Sequence, residues 1–140
     1  MNLFKDLPSD LSEEVFEDLL THKQLRIERI VSKGQTTPEG EWYDQEEHEW
    51  VLVLQGAGEL TYEDGSVKRL ETGDHLNIPA HTKHRVSWTA PEQETIWLAV
   101  FTVRFSTYEL FRRAGKEKRG KETLTFPMCA IKGLGEAQSN

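Results

Sequence analysis

Three of the five histidines of this 140-residue chain fall in one short stretch, GDHLNIPAHTKH, from Gly73 to His84. Upstream, the run DQEEHE sets Asp44, His48 and Glu49 close together. Imidazole nitrogen and carboxylate oxygen are ordinary ligands of divalent first-row metals. The same two groups can also exchange protons near neutral pH. The plainer alternatives are a histidine-rich polar turn and a solvated acidic loop.

Which of these groups can meet depends on the strands that carry them. In EWVLVLQG, side chains alternate between faces, so Glu49, Val51 and Val53 share one face and Trp50, Leu52 and Leu54 the other. If Glu49 faces inward, Gln45 has the same parity and His48 points out. The opposite register turns Asp44 and His48 inward and Glu49 outward. Both faces of this strand are apolar, so both are expected to be covered.

The rest of the chain reads as short strands between two helical ends. SDLSEEVFEDLLTHK offers Asp10 and Glu13 at capping-box spacing and an apolar stripe of Leu11, Val15 and Leu19 with Phe16 and Leu20, which predicts a helix within residues 1–24. LRIERIV, EWVLVLQG, DHLNIPA, HRVSWTA and TIWLAVFTVRF follow as strands over 25–105. GELTYEDGSVKRL is a hairpin whose Asp64-Gly65 turn supplies positive φ angles, and SKGQTTPEGE is a loop. Many short strands at close spacing predict an all-β sandwich or barrel. Over 106–140, Ser106, Glu109 and Gly115 outline a short helix before a basic tail.

Composition narrows the class. The net charge is −7, unevenly spread: residues 1–103 hold 9 basic and 20 acidic side chains, and residues 104–140 hold 8 and 4. An acidic body disfavours nucleic acid. No apolar run approaches the ~20 residues of a membrane span, and the N-terminus lacks the pattern of a secretory signal. Cys129 is the only cysteine, so no disulfide can form within the chain and no multi-cysteine zinc site is available. A cytoplasmic setting is the expectation.

Two segments together resemble the paired motifs of the cupin superfamily. Gly73, five residues, Pro79, four residues and His84 match the second motif, with His81 standing where a glycine is common. Glu49, six residues and Gly56 match the end of the first. The two histidine slots of the first motif fall on Tyr43 and Gln45, or on Trp42 and Asp44 with one more intervening residue. The resemblance spans roughly residues 25–103. It implies a double-stranded β-helix, a jelly-roll barrel, with a site in its mouth and a possible homodimer.

It also implies a divalent metal (iron, manganese, nickel or zinc) held by Gln45, Glu49 and His84, with Tyr43, Asp44, His48 and His81 as alternates. Three functions are compatible with such a site. One is a metal-dependent enzyme acting on a small molecule. A second is a non-catalytic small-molecule sensor. The third is a metal-free barrel in which Glu49 and His84 do acid–base work.

Overall fold

The computed structural model describes residues 1–103. The helix and basic tail expected over 106–140 lie outside the described residues. Eight strands form in the order β1 (Val15–His22), β2 (Leu25–Ser32), β3 (Glu47–Gln55), β4 (Ala57–Tyr62), β5 (Val67–Glu71), β6 (His75–Ile78), β7 (His84–Thr89) and β8 (Thr95–Val103). They make two antiparallel sheets, β1-β2-β8-β3-β6 and β5-β4-β7. The fold is all-β, with two unclosed sheets enclosing a core of Ile30, Val51, Val53, Leu60, Leu70, Ile78, Trp97, Ala99 and Phe101. No helix among the described residues is long and apolar enough to cross a membrane.

The helix expected within residues 1–24 is not there: Val15–His22 is a strand. A helix of this length is marginal without packing, whereas the edge of β2 offers residues 15–22 a ladder of backbone partners. Val15 pairs with Val31, Phe16 with Ile30 and Glu17 with Arg29. The Asp10 signal is a local one, for its Oδ1 accepts from the Ser12 N–H at 3.0 Å and closes a turn instead of capping a helix.

The hairpin between β4 and β5 forms where expected, but its turn differs. Only Gly65 has positive φ, at 83°. Gly65 N–H bonds Tyr62 O at 2.9 Å and Tyr62 N–H bonds Ser66 O at 2.9 Å. The connection is therefore a type I turn followed by a glycine bulge, which needs one left-handed residue where a two-residue turn needs two.

Arg29 is 1% exposed and ties the N-terminal segment down. Its Nε donates to Glu17 Oε2 at 2.6 Å, its Nη1 to the carbonyls of Leu3 (3.2 Å) and Lys5 (3.0 Å), and its Nη2 to that of Asp6 (3.3 Å). Arg29→Met removes all four bonds. It is expected to cost about 2 kcal/mol, below the usual range for a broken buried pair because Glu17 can rehydrate. Denaturant unfolding gives the loss, and limited proteolysis should cut residues 1–14 first. Unchanged cleavage would show that Arg29 does not hold this arm.

Candidate functional site

The inward register of β3 is the one with Glu49 inside: Glu49, Val51 and Val53 are buried, while Trp50, Leu52 and Leu54 are half-buried on the other face. Glu49 sits on the five-stranded sheet, opposite Ile78 of β6 and Phe101 of β8. His84 opens β7 on the other sheet, opposite Tyr62 of β4. The two side chains meet across the gap, with His84 Nε2 3.5 Å from Glu49 Oε2. They are only 3% and 8% exposed.

The chain between the sheets fixes this meeting. Residues 43–45 run beside 81–84, with Tyr43 N–H on His84 O (2.8 Å), His84 N–H on Tyr43 O (3.2 Å) and His81 N–H on Gln45 O (2.8 Å). Pro79 to His81 form the turn before β7, closed by Thr82 N–H on Pro79 O at 3.2 Å. His81 takes the glycine-like φ of 59° there. Gln45 is thereby delivered over Glu49 and donates Nε2–H to its Oε2 at 2.9 Å.

The imidazole of His84 is held at both nitrogens. Nδ1 lies 2.8 Å from Thr82 O, so it carries a proton and donates it. Burial works against the imidazolium, but hydrogen bonding and attraction to Glu49 and the bond to Thr82 outweigh it and raise the pKa above its ordinary value. The imidazolium form of His84 is thus favoured by its place beside Glu49. Burial, reinforced by the Glu49 charge, also pushes the phenols of Tyr43 and Tyr62 up, so both keep their protons. Their rings lie 5.7 and 6.4 Å from the His84 ring.

Glu49, His84 and Gln45 form the polar end of a cavity of about 70 Å³. Ile30, Val51, Leu60, Ile78, Trp97 and Phe101 make its apolar walls, and Glu14, Phe16 and Tyr43 also line it. Glu14 and Phe16 carry no sequence signal of this role. They reach the cavity only because residues 15–22 pair with β2 as a strand. Glu14 is anchored from the core: Trp97 Nε1–H donates to Ser32 Oγ at 3.2 Å, and the Ser32 hydroxyl donates to Glu14 Oε1. Burial raises the Glu14 pKa, and the Ser32 bond opposes the rise.

The other sequence candidates are elsewhere. His48 points out of the cavity and accepts the Ala80 N–H on Nδ1 at 3.0 Å, a structural bond. His81 and Asp44 pair with each other at 3.2 Å, both well exposed. His75 accepts the Trp50 indole N–H at 3.2 Å.

The metal centre implied by the resemblance needs several imidazole and carboxylate donors at one point. Among the described residues no three His, Cys, Asp or Glu side chains gather in that way. At the cavity the first motif contributes an amide, and that amide turns its N–H toward Glu49. Every buried side-chain nitrogen and oxygen among the described residues already has a partner. This donor set does not fit the usual three-histidine, one-glutamate site.

The family model described as "Cupin domain" matches residues 28–101, the stretch from within β2 into β8 that carries Glu49 and His84. The chain belongs to the cupin superfamily. Among solved structures, it is 44% identical to a protein from Ralstonia eutropha JMP134 called a "putative mannose-6-phosphate isomerase", over 74% of this chain and 97% of that one, with a TM-score of 0.71. An RmlC-like cupin from Desulfovibrio desulfuricans shares the fold at 24% identity, covering 73% and 93% with a TM-score of 0.61. A cupin from Desulfitobacterium hafniense does so at 16%, covering 70% and 84% with a TM-score of 0.59. No curated protein matches the chain. As in its relatives, fold alone does not name the chemistry of this cupin.

Proposed function

We propose that this cupin binds a small organic molecule in the cavity between its sheets and that Glu49 and His84 move a proton on it. The observation that carries the reading is the Glu49–His84 pair, buried in a cavity whose walls are mostly apolar. A carboxylate and an imidazolium side by side are a base and an acid ready together. The Glu49 carboxylate accepts a proton from a C–H or O–H of the ligand. The His84 imidazolium returns one to the ligand oxygen where negative charge gathers. Gln45 holds the carboxylate in place through its 2.9 Å bond.

The Ralstonia eutropha protein bears the name of an isomerase, and isomerisation is a reaction class that consists of such proton movements. A phosphorylated hexose is a poor fit to this cavity, however. About 70 Å³ is well below the ~300–1,000 Å³ of ordinary small-molecule pockets. No Lys or Arg is among the described residues lining it, so nothing there would neutralise a phosphate.

Ligand-observed NMR with a panel of two- to four-carbon alcohols, aldehydes and ketones tests the reading. At least one compound is expected to bind wild type and to lose about tenfold in affinity in both Glu49→Ala and His84→Ala, the size of one lost buried hydrogen bond to a charged group. Binding is expected to survive a chelator. Binding that vanishes with the chelator and returns with manganese, iron, nickel or zinc would favour the metal-dependent alternative. Binding indifferent to both substitutions would remove Glu49 and His84 from the site.

A further inference from the structure

Among the described residues, charge around the cavity is unbalanced. Glu49 lies 3.5 Å from His84 Nε2 and has that ring as its partner. Glu14 also lines the cavity, and none of the ion pairs among the described residues engages it. Arg26 stacks on Phe101 at 4.1 Å, but its guanidinium is bound to Glu28 and Glu47, so its charge is already met.

Glu14 is not a loose surface carboxylate. The chain from the Trp97 indole through the Ser32 hydroxyl fixes one of its oxygens, and both donor residues are buried. A carboxylate held in partly apolar surroundings is costly unless a cation or further donors meet it. Phe16, Tyr43 and Trp97 line the same cavity, and aromatic faces attract cations as well as apolar carbons. Anions face two carboxylates there and no arginine or lysine among the described lining residues.

We infer that the ligand of this cavity carries an amine, bound as its ammonium ion by Glu14, while its reacting end meets Glu49 and His84. This assignment of substrate class rests on the small-molecule site proposed above. Glu14 is then the residue that sets specificity: it selects primary ammonium compounds over alcohols of the same length and rejects carboxylates and phosphates.

Three probes with one three-carbon skeleton separate the cases: n-propylamine, propan-1-ol and propionate, titrated against the full chain near pH 7 by ligand-observed NMR. The amine is expected to bind about tenfold tighter than the alcohol, equivalent to about 1.4 kcal/mol, with propionate weaker than both. In Glu14→Gln, which keeps an acceptor for Ser32, the amine is expected to fall to the level of the alcohol. The wild-type ranking of the three probes reads the same charge without relying on a variant.

Propionate binding tightest, or an amine preference unchanged in Glu14→Gln, would overturn the assignment. Alcohol binding that depends on Glu49 and His84 without any amine preference would sink this inference alone. Failure of all three probes to bind would overturn it together with the site reading beneath it.

Discussion

In Glu49→Gln, His84 titrates below the ordinary imidazole value of about 6.5, whereas in wild type it titrates above it. The reversal follows from what surrounds the ring. Burial is the largest single influence and lowers the pKa, while Glu49 raises it through both a hydrogen bond and its charge. Removing that charge leaves the Thr82 carbonyl as the main support of the imidazolium, and it does not offset burial. An NMR titration of the His84 ring protons reads the midpoint directly.

Stability carries the same signature. Because the folded pKa of His84 is raised, the stabilisation it contributes is full below about 6.5 and is lost as pH rises through the folded value. The melting temperature of wild type should therefore drop relative to Glu49→Gln as pH rises above about 6.5. Equal midpoints in the two proteins would mean that the pair is not an ion pair, and the acid–base role would go with it.

Gly58→Ala is expected to be among the most damaging single substitutions, although it adds one methyl group. A Cβ at position 58 would stand 2.2 Å from Trp97 Cζ2 and Cη2, far inside any real contact. Trp97 is 3% exposed and packed in the core, so the ring has little room to yield. Overpacking of this kind costs about 3 kcal/mol, a fall in melting temperature of roughly 10 °C for a domain of this size.

The displaced indole is also the donor that begins the chain to Ser32 and Glu14, so the amine preference should fall with the stability. Trp97→Phe gives the control, because a phenyl ring lacks the part of the indole that a Cβ would strike. The double substitution Gly58→Ala, Trp97→Phe is expected to be more stable than Gly58→Ala alone, a coupling that only residues in contact show. A double variant less stable than the single would mean that the Trp97 ring is not what position 58 makes room for.

The Glu49–His84 pair is the part of the site most legible in the sequence. The period of two along EWVLVLQG places Glu49 and Val51 on one face, and the spacing of Gly73, Pro79 and His84 places His84 at the start of the next strand. Each signal is local, and each survives folding because a strand fixes side-chain direction over its whole length. His81 is legible as a departure from glycine, and its positive φ shows that the turn kept its shape around it.

Residues 15–22 show where local signals stop. The apolar spacing of residues 15–20 suits a helix, yet the edge of β2, with Leu25 to Val31 as pairing partners, draws them into a strand. Once that pairing is made, Glu14 and Phe16 enter the cavity and a second carboxylate joins the site. The choice between His48 and Gln45 is equally open until the backbone of residues 43–45 is laid against 81–84.

Periodicity and turn residues suffice for the all-β class and the order of strands β2 to β8, and the resemblance to the cupin motifs adds the inward aim of one glutamate and one histidine. Both kinds of signal act over a few positions, so they can be read before any distant segment is placed. Three further facts come from the assembled fold. The glutamate and the histidine belong to opposite sheets yet meet, an amide and not a further histidine sits above them, and Glu14 stands beside the cavity. All three depend on which strand edges find each other. That choice is made by backbone pairing and burial between distant segments, and no short stretch of sequence contains it.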